Sequence, residues 1–265
     1  MKEEYSFLTY LLKSPFFQIW EKLTLDNDLY FRIYFNQKKI RIHYSGEHIL
    51  TLQYRFYSSR KFKLQDRYEE WWKELVLDDI FSIINNIKKE IDGSERHYKN
   101  WETVSQYKYA ALDKRIILTE YGYFIGTRID MVLVDNISNR IVFVEVKRID
   151  NEDFETTKLK NQLYFYNNCA VKHKDSVLKE MTELINIRKE LNLYELPVEK
   201  EYFMEEKPLL LVLDCNDKQS MERHISKYTD KVKNDLCGLI YTNKIIKIDM
   251  TKFKDKLYYE FDENK

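Results

Sequence analysis

Asp130, Glu145 and Lys147 are the residues of this 265-residue chain whose types and spacing could do chemistry. They interrupt the apolar stretch 124–148, FIGTRIDMVLVDNISNRIVFVEVKR, which reads as two strands rich in Val, Ile and Phe. The polar cluster Asn136, Ile137, Ser138 and Asn139 supplies the turn between them. Side chains alternate along a strand, so Glu145 and Lys147 share one face while Val144 and Val146 line the other. If the turn is symmetric about Ile137 and Ser138, residues whose numbers add to 275 face each other, and Asp130 lies opposite Glu145. Their Cβ atoms would then stand about 5 Å apart. Two facing carboxylates in a half-buried hairpin repel each other and are costly to desolvate. A bound cation would remove that cost.

Elements on either side must position this hairpin. A strand at 115–121 precedes it, and a helix over roughly 153–168 follows, with Lys158, Gln162 and Tyr166 along one face. A second helix spans about 173–193. Residues 208–214 form a continuous apolar run, the mark of a strand buried on both faces. A further helical period runs through Met221, Ile225, Tyr228 and Val232, and a closing hairpin is expected from 236–241 and 244–248, with a surface tail after it. The order β-β-β-α-α-β-α-β-β describes an α/β sandwich on a mixed sheet.

Upstream, 5–22 has a helical pattern divided at Pro15, and 29–35, 40–44 and 48–57 suggest a small antiparallel meander. The longest helical pattern is 65–91, with Glu69 and Asp79 inside its apolar stripe and Glu70 and Glu74 pointing away from it. Two domains are expected, 1–64 as a substrate-binding helix and meander, and 65–265 as the chemical domain. Between Arg32 and Lys63 stand eight Lys or Arg against the single acid Glu47, interleaved with Tyr34, Tyr44, Tyr54 and Tyr57. Two readings stand open: a surface that grips phosphates and stacks on bases, or a solvated face whose basic residues guard a sheet edge.

With 44% apolar residues but only five Gly and three Pro, the chain can bury a proper core. No apolar run approaches the ~20 residues of a membrane span, and the acidic N-terminus is unlike a signal peptide. Three scattered cysteines suit a reducing cytosol, so a cytoplasmic protein with no membrane partner is expected. The net charge of zero leaves any nucleic-acid affinity to local patches.

In order and spacing, Gly126-Thr-Arg-Ile-Asp130, Glu145-Val-Lys147 and Gln162-Leu-Tyr-Phe-Tyr166 resemble the PD-(D/E)xK nuclease superfamily, in its RecB-like and lambda-exonuclease-like branch. The resemblance covers roughly 65–250. It departs from the family in the Thr between Gly126 and Arg128, and Glu69 is the best candidate for the family's upstream helix acid. It implies a restriction-endonuclease-like core: a central mixed sheet flanked by helices, carrying here a small N-terminal helix and meander. It also implies a metal-dependent nuclease acting on nucleic acid, most simply DNA, and nucleases that cut both strands often act as homodimers. Asp130, Glu145 and the Val146 carbonyl would hold Mg²⁺ or Mn²⁺, a hard-oxygen set that leaves room for several waters. Lys147 would activate the attacking water, its pKa lowered by burial and the neighbouring cation. Gln162 would orient that water or Lys147, and Tyr166 would bond a phosphate or steady the helix. The alternatives are a non-catalytic nucleic-acid-binding module of the same fold and an RNA-directed nuclease; no phosphate-binding Gly loop favours the latter.

Overall fold

The computed structural model describes residues 11–14, 16–26, 28–34, 39–44, 47–55, 61–66, 73–74, 77–93, 116–124, 127–135, 138–191, 193, 201–244 and 257–261. The chain divides into two compact units, Met1–Leu112 with Lys189–Leu193, and Asp113–Arg188 with Tyr194–Lys265.

In the first unit, helix α1 (Phe16–Thr24) leads into strands β1 (Leu29–Tyr34), β2 (Lys39–Tyr44), β3 (Glu47–Arg55), β4 (Lys61–Asp66) and β5 (Lys73–Glu74). The strands form a five-stranded antiparallel sheet in chain order. Alternation sorts the side chains of β1–β3 onto two faces. Phe31, Ile33, Ile40, Ile42, Leu50 and Leu52 are buried on one, and Arg32, Tyr34, Lys39, Arg41 and Gln53 are half-buried on the other. The fully buried Trp20 packs its ring 4.8 Å from that of Phe31 at a tilt of 60°, and its indole N–H donates to the Leu191 carbonyl at 2.6 Å.

The expected helix at 65–91 is shorter than its pattern. Gln65 lies on β4, Lys73 and Glu74 form β5, and helix α2 begins only at Leu77 and runs to Asp92. Sheet pairing takes Gln65, Asp66, Lys73 and Glu74, because β4 completes the ladder that β3 leaves open. The buried stripe of α2 is Ile80, Ile84, Ile87 and Ile91, and Asp79 is exposed beside it rather than inside it. Glu69 lies outside the described residues.

The second unit is a mixed sheet flanked by helices. Strands β6 (Ile116–Phe124), β7 (Thr127–Asp135) and β8 (Arg140–Arg148) run antiparallel. A 3₁₀ turn at Glu152–Phe154 and helices α3 (Lys158–Lys172) and α4 (Lys174–Glu190) follow. Then come β9 (Phe203–Met204), β10 (Leu209–Leu213), helix α5 (Lys218–Lys227), two 3₁₀ turns at Thr229–Lys231 and Lys233–Asp235, β11 (Gly238–Thr242) and β12 (Leu257–Glu260). The sheet order is β12-β11-β10-β8-β7-β6, with β9 pairing parallel to the start of β8. β8, β10 and β11 are parallel neighbours, as the helical crossovers between them require, and β12 pairs parallel to β11. The all-apolar β10 is buried at every position, as a central parallel strand should be. The residues expected to be a surface tail supply β12, which pairs with β11; those expected at 245–248 lie outside the described residues. No described helix is long and apolar enough to cross a membrane.

The β7–β8 register agrees with the symmetric turn. Every pair from Asp135 with Arg140 to Met131 with Val144 keeps the constant sum of 275. Asn139 closes the turn with φ 56°, a left-handed conformation that Asn tolerates better than a β-branched residue. Asn139→Gly should leave stability nearly unchanged, and Asn139→Val should cost about 1–2 kcal/mol in urea unfolding. Equal costs for the two would mean that this backbone conformation does not hold the hairpin.

Candidate active site

The face of β8 that carries Glu145 and Lys147 continues across β10 at Leu210 and Val212, their direct ladder partners. Helix α3 covers this face. Its Tyr166, Cys169 and Ala170 pack with Val132, Ile141 and Phe143, and its Leu159 and Leu163 pack with Leu210 and Val212. Glu145 and Lys147 thus stand between two apolar clusters, only 1% and 8% exposed. Charges at that depth need partners.

The β7–β8 ladder ends at Met131 and Val144, one step short of Asp130 and Glu145. There the Asp130 side chain takes over a backbone role, its Oδ2 accepting from the Val146 amide at 2.9 Å. Tyr166, fully buried on α3, ties the two strands together. Its hydroxyl accepts from the Asp130 amide at 3.0 Å and lies 3.1 Å from the Arg128 carbonyl. It also makes a short hydrogen bond to Glu145 Oε2. Burial, with the charges of Glu145 and Asp130 beside it, holds the phenol well above its ordinary pKa, so it remains a donor.

The other oxygen, Glu145 Oε1, is 2.6 Å from Lys147 Nζ. Lys147 Nζ in turn lies 2.9 Å from Asp153 Oδ2, and Asp153 Oδ1 lies 2.9 Å from Lys158 Nζ. Burial, then the Asp130 charge, raises the Glu145 carboxyl to about 7 even against Lys147. Burial alone would lower Lys147, as the sequence suggests, but Glu145 and Asp153 outweigh it and its pKa is raised. Asp153 is shifted downward: burial opposes this, but the ammonium groups of Lys158 and Lys147 prevail.

The structure therefore brings Asp130, Glu145, Val146, Lys147 and Tyr166 together. Gln162 sits one turn before Tyr166 on α3, half-buried, and its Oε1 is buried without a hydrogen-bond partner among the described residues. Asp153 is the member that sequence reasoning missed. Its signal was local: Asn151 Oδ1 accepts the Asp153 amide at 2.8 Å, capping a 3₁₀ turn that swings this acid back over Lys147.

Among the described residues, no group of three or more His, Cys, Asp or Glu is arranged to hold a metal. Asp130 and Glu145 are two hard-oxygen donors, and with a backbone carbonyl they would suit a cation that keeps several waters. The repulsion that raises Glu145 is what such a cation would relieve. The residues fit Mg²⁺ or Mn²⁺. Comparison with family models, with curated proteins and with solved structures gave no match.

A carboxyl raised from 4.5 to about 7 in the fold favours folding while it is protonated. That contribution is complete below about pH 4.5 and is lost as pH rises through 7. The buried His43 and His224, lowered to about 3 and about 4, act in the opposite sense, so the comparison must be differential. In EDTA, wild type should lose stability relative to Glu145→Gln between pH 4.5 and 8, by a few kcal/mol at most. Parallel melting-temperature curves for the two proteins would contradict the raised carboxyl.

Proposed function

We propose that the chain is a divalent-metal-dependent nuclease with a restriction-endonuclease-like core, hydrolysing phosphodiester bonds of nucleic acid, most simply DNA. The observation that carries this reading is the end of the β7–β8 ladder. Asp130 and Glu145 come together where the strands stop pairing, Lys147 lies two residues on, and Tyr166 bridges both strands. The sheet order, with α3 and α4 between β8 and the parallel β10, supports the fold that the sequence resemblance implies.

A cation held by Asp130, Glu145 and the Val146 carbonyl would supply positive charge where charge develops on the phosphoryl oxygens. The chain's own groups do the rest. Of the three N–H donors of Lys147, two face Glu145 and Asp153, which leaves one for a water or a phosphoryl oxygen. Because Lys147 stays protonated, it orients the nucleophile and stabilises charge; proton removal falls to another group. Glu145, whose raised pKa a bound cation would relieve, would serve as that cation's ligand. Gln162 Oε1 would fix the water's orientation. Tyr166 holds the register that keeps the carboxylates together.

A second reading, a nucleic-acid-binding module without catalysis, is favoured by the depth of Glu145 and by the ion chain Glu145–Lys147–Asp153–Lys158. The two separate on a substrate panel of single-stranded DNA, double-stranded DNA and RNA, each with Mg²⁺, Mn²⁺ or EDTA. Cleavage should require the metal. It should fall at least 100-fold in Lys147→Met and in Asp130→Asn, the scale of losing one electrostatic catalytic group, with binding retained. No cleavage of any substrate with either metal would sink the nuclease reading in favour of the second.

A further inference from the structure

The ammonium of Lys147 stands where a divalent cation would meet Glu145. Of the two Glu145 oxygens, Oε2 accepts from the buried Tyr166 hydroxyl, and Oε1 lies 2.6 Å from Lys147 Nζ. Both residues are buried, so water screens that contact little. A divalent cation and an ammonium on the same carboxylate oxygen would stand a few ångströms apart in a medium of low dielectric, where like charges repel strongly. Oε1 can serve only one of them at a time.

Lys147 has a second acid within reach. Its Nζ lies 2.9 Å from Asp153 Oδ2, and Asp153 is itself buried. Leaving Glu145 therefore does not strand the ammonium, which is the costly outcome for a buried charge. The receiving carboxylate is held in place by its own turn and by α5. Asn151 Oδ1 accepts the Asp153 amide, Phe154 meets the His224 ring edge-on at 4.3 Å, and the Tyr228 hydroxyl donates to Glu155 at 2.7 Å. His224 on α5 and Tyr228 just after it thus anchor the two residues that follow Asp153. The other oxygen, Asp153 Oδ1, lies 2.9 Å from Lys158 Nζ, whose side chain is 65% exposed and can turn to water when Asp153 takes the full charge of Lys147.

We infer that Lys147 is a displaceable counter-ion: a divalent cation takes Glu145 Oε1 from it, and Asp153 receives the ammonium. This rests on the metal-dependent reading of the site and adds to it a role for Asp153, a positioning residue that lowers the cost of loading the metal. The displaced Lys147 keeps one donor on Asp153 and has the others for the attacking water or a phosphoryl oxygen. Asp153 acts on the cation only through Lys147, which separates it from a metal ligand and from a general countercharge.

The test is Mn²⁺ binding to the full chain without substrate at pH 8, followed by the electron paramagnetic resonance signal of free Mn²⁺. Asp153→Asn should weaken binding roughly tenfold or more in the wild-type background. In a Lys147→Met background, where there is no ammonium to receive, it should weaken binding by less than about threefold. Equal weakening in the two backgrounds would make Asp153 a ligand or a general countercharge and overturns the inference, as does no weakening in the first. Wild type that binds no Mn²⁺ overturns the metal-dependent reading as well, whereas wild type that binds it with Asp153→Asn unaffected overturns the handover alone. A measurement on wild type covers the case in which a variant does not fold. In crystals soaked with MnCl₂, anomalous density should stand at Glu145, with Lys147 Nζ beyond the roughly 4 Å limit of an ion pair from Glu145 Oε1 and still within it of Asp153. Metal at Glu145 with Lys147 still paired to that oxygen also overturns the inference.

Discussion

Glu145 is a carboxylate at the centre of a sheet, and the arrangement of the second unit follows from keeping it there. Burying an ion costs several kcal/mol unless its oxygens find partners. Here one oxygen takes the Tyr166 hydroxyl from α3 and the other takes Lys147 from its own strand. Remove either and a charge is stranded between two apolar clusters, which is the costly case for a buried pair. The position of α3 is thereby fixed to within a hydrogen bond, because the same hydroxyl also receives the Asp130 amide.

This constraint explains why a register matters so much in this hairpin. A slip of one residue would turn Asp130 to the opposite face, away from Glu145, and would break the contacts of Tyr166 to both strands. The left-handed Asn139 at the turn and the Asp130 side chain at the far end hold the ladder from its two extremities. Between them the pairs are apolar and would be equally content one step away. Specificity of register thus resides in polar residues at the ends, while the apolar middle supplies the burial.

The hairpin, its register, the parallel strand β10 and the two helices between were legible because each has a strong local pattern and a turn or run that admits one reading. The segment 65–91 was not, because Gln65, Lys73 and Glu74 give no sign in their own spacing that β3 needs further strands beside it. The strand at Leu257–Glu260 was hidden for the same reason: its charges look like a tail until the edge of β11 is present to pair with. At the site, Asp130, Glu145 and Lys147 were legible from spacing, and Asp153 was not. Its role depends on a 3₁₀ turn closing over Lys147, which is a fact of tertiary structure. The pKa of Lys147 also turned on Asp153, since a second carboxylate reversed the direction that burial alone would give.

The two sheets show opposite faults by the ordinary rules of pairing. In the second unit Asp130 raises the pKa of Glu145, two negative groups side by side at the end of a ladder. In the first unit Arg32 faces Arg41 across a ladder and Lys39 joins them on one ring, three positive groups together. A sequence tuned for stability alone would not place a second carboxylate where it raises the first. Retaining Asp130 beside Glu145 makes physical sense if a cation held between them relieves the repulsion, as the proposed function has it.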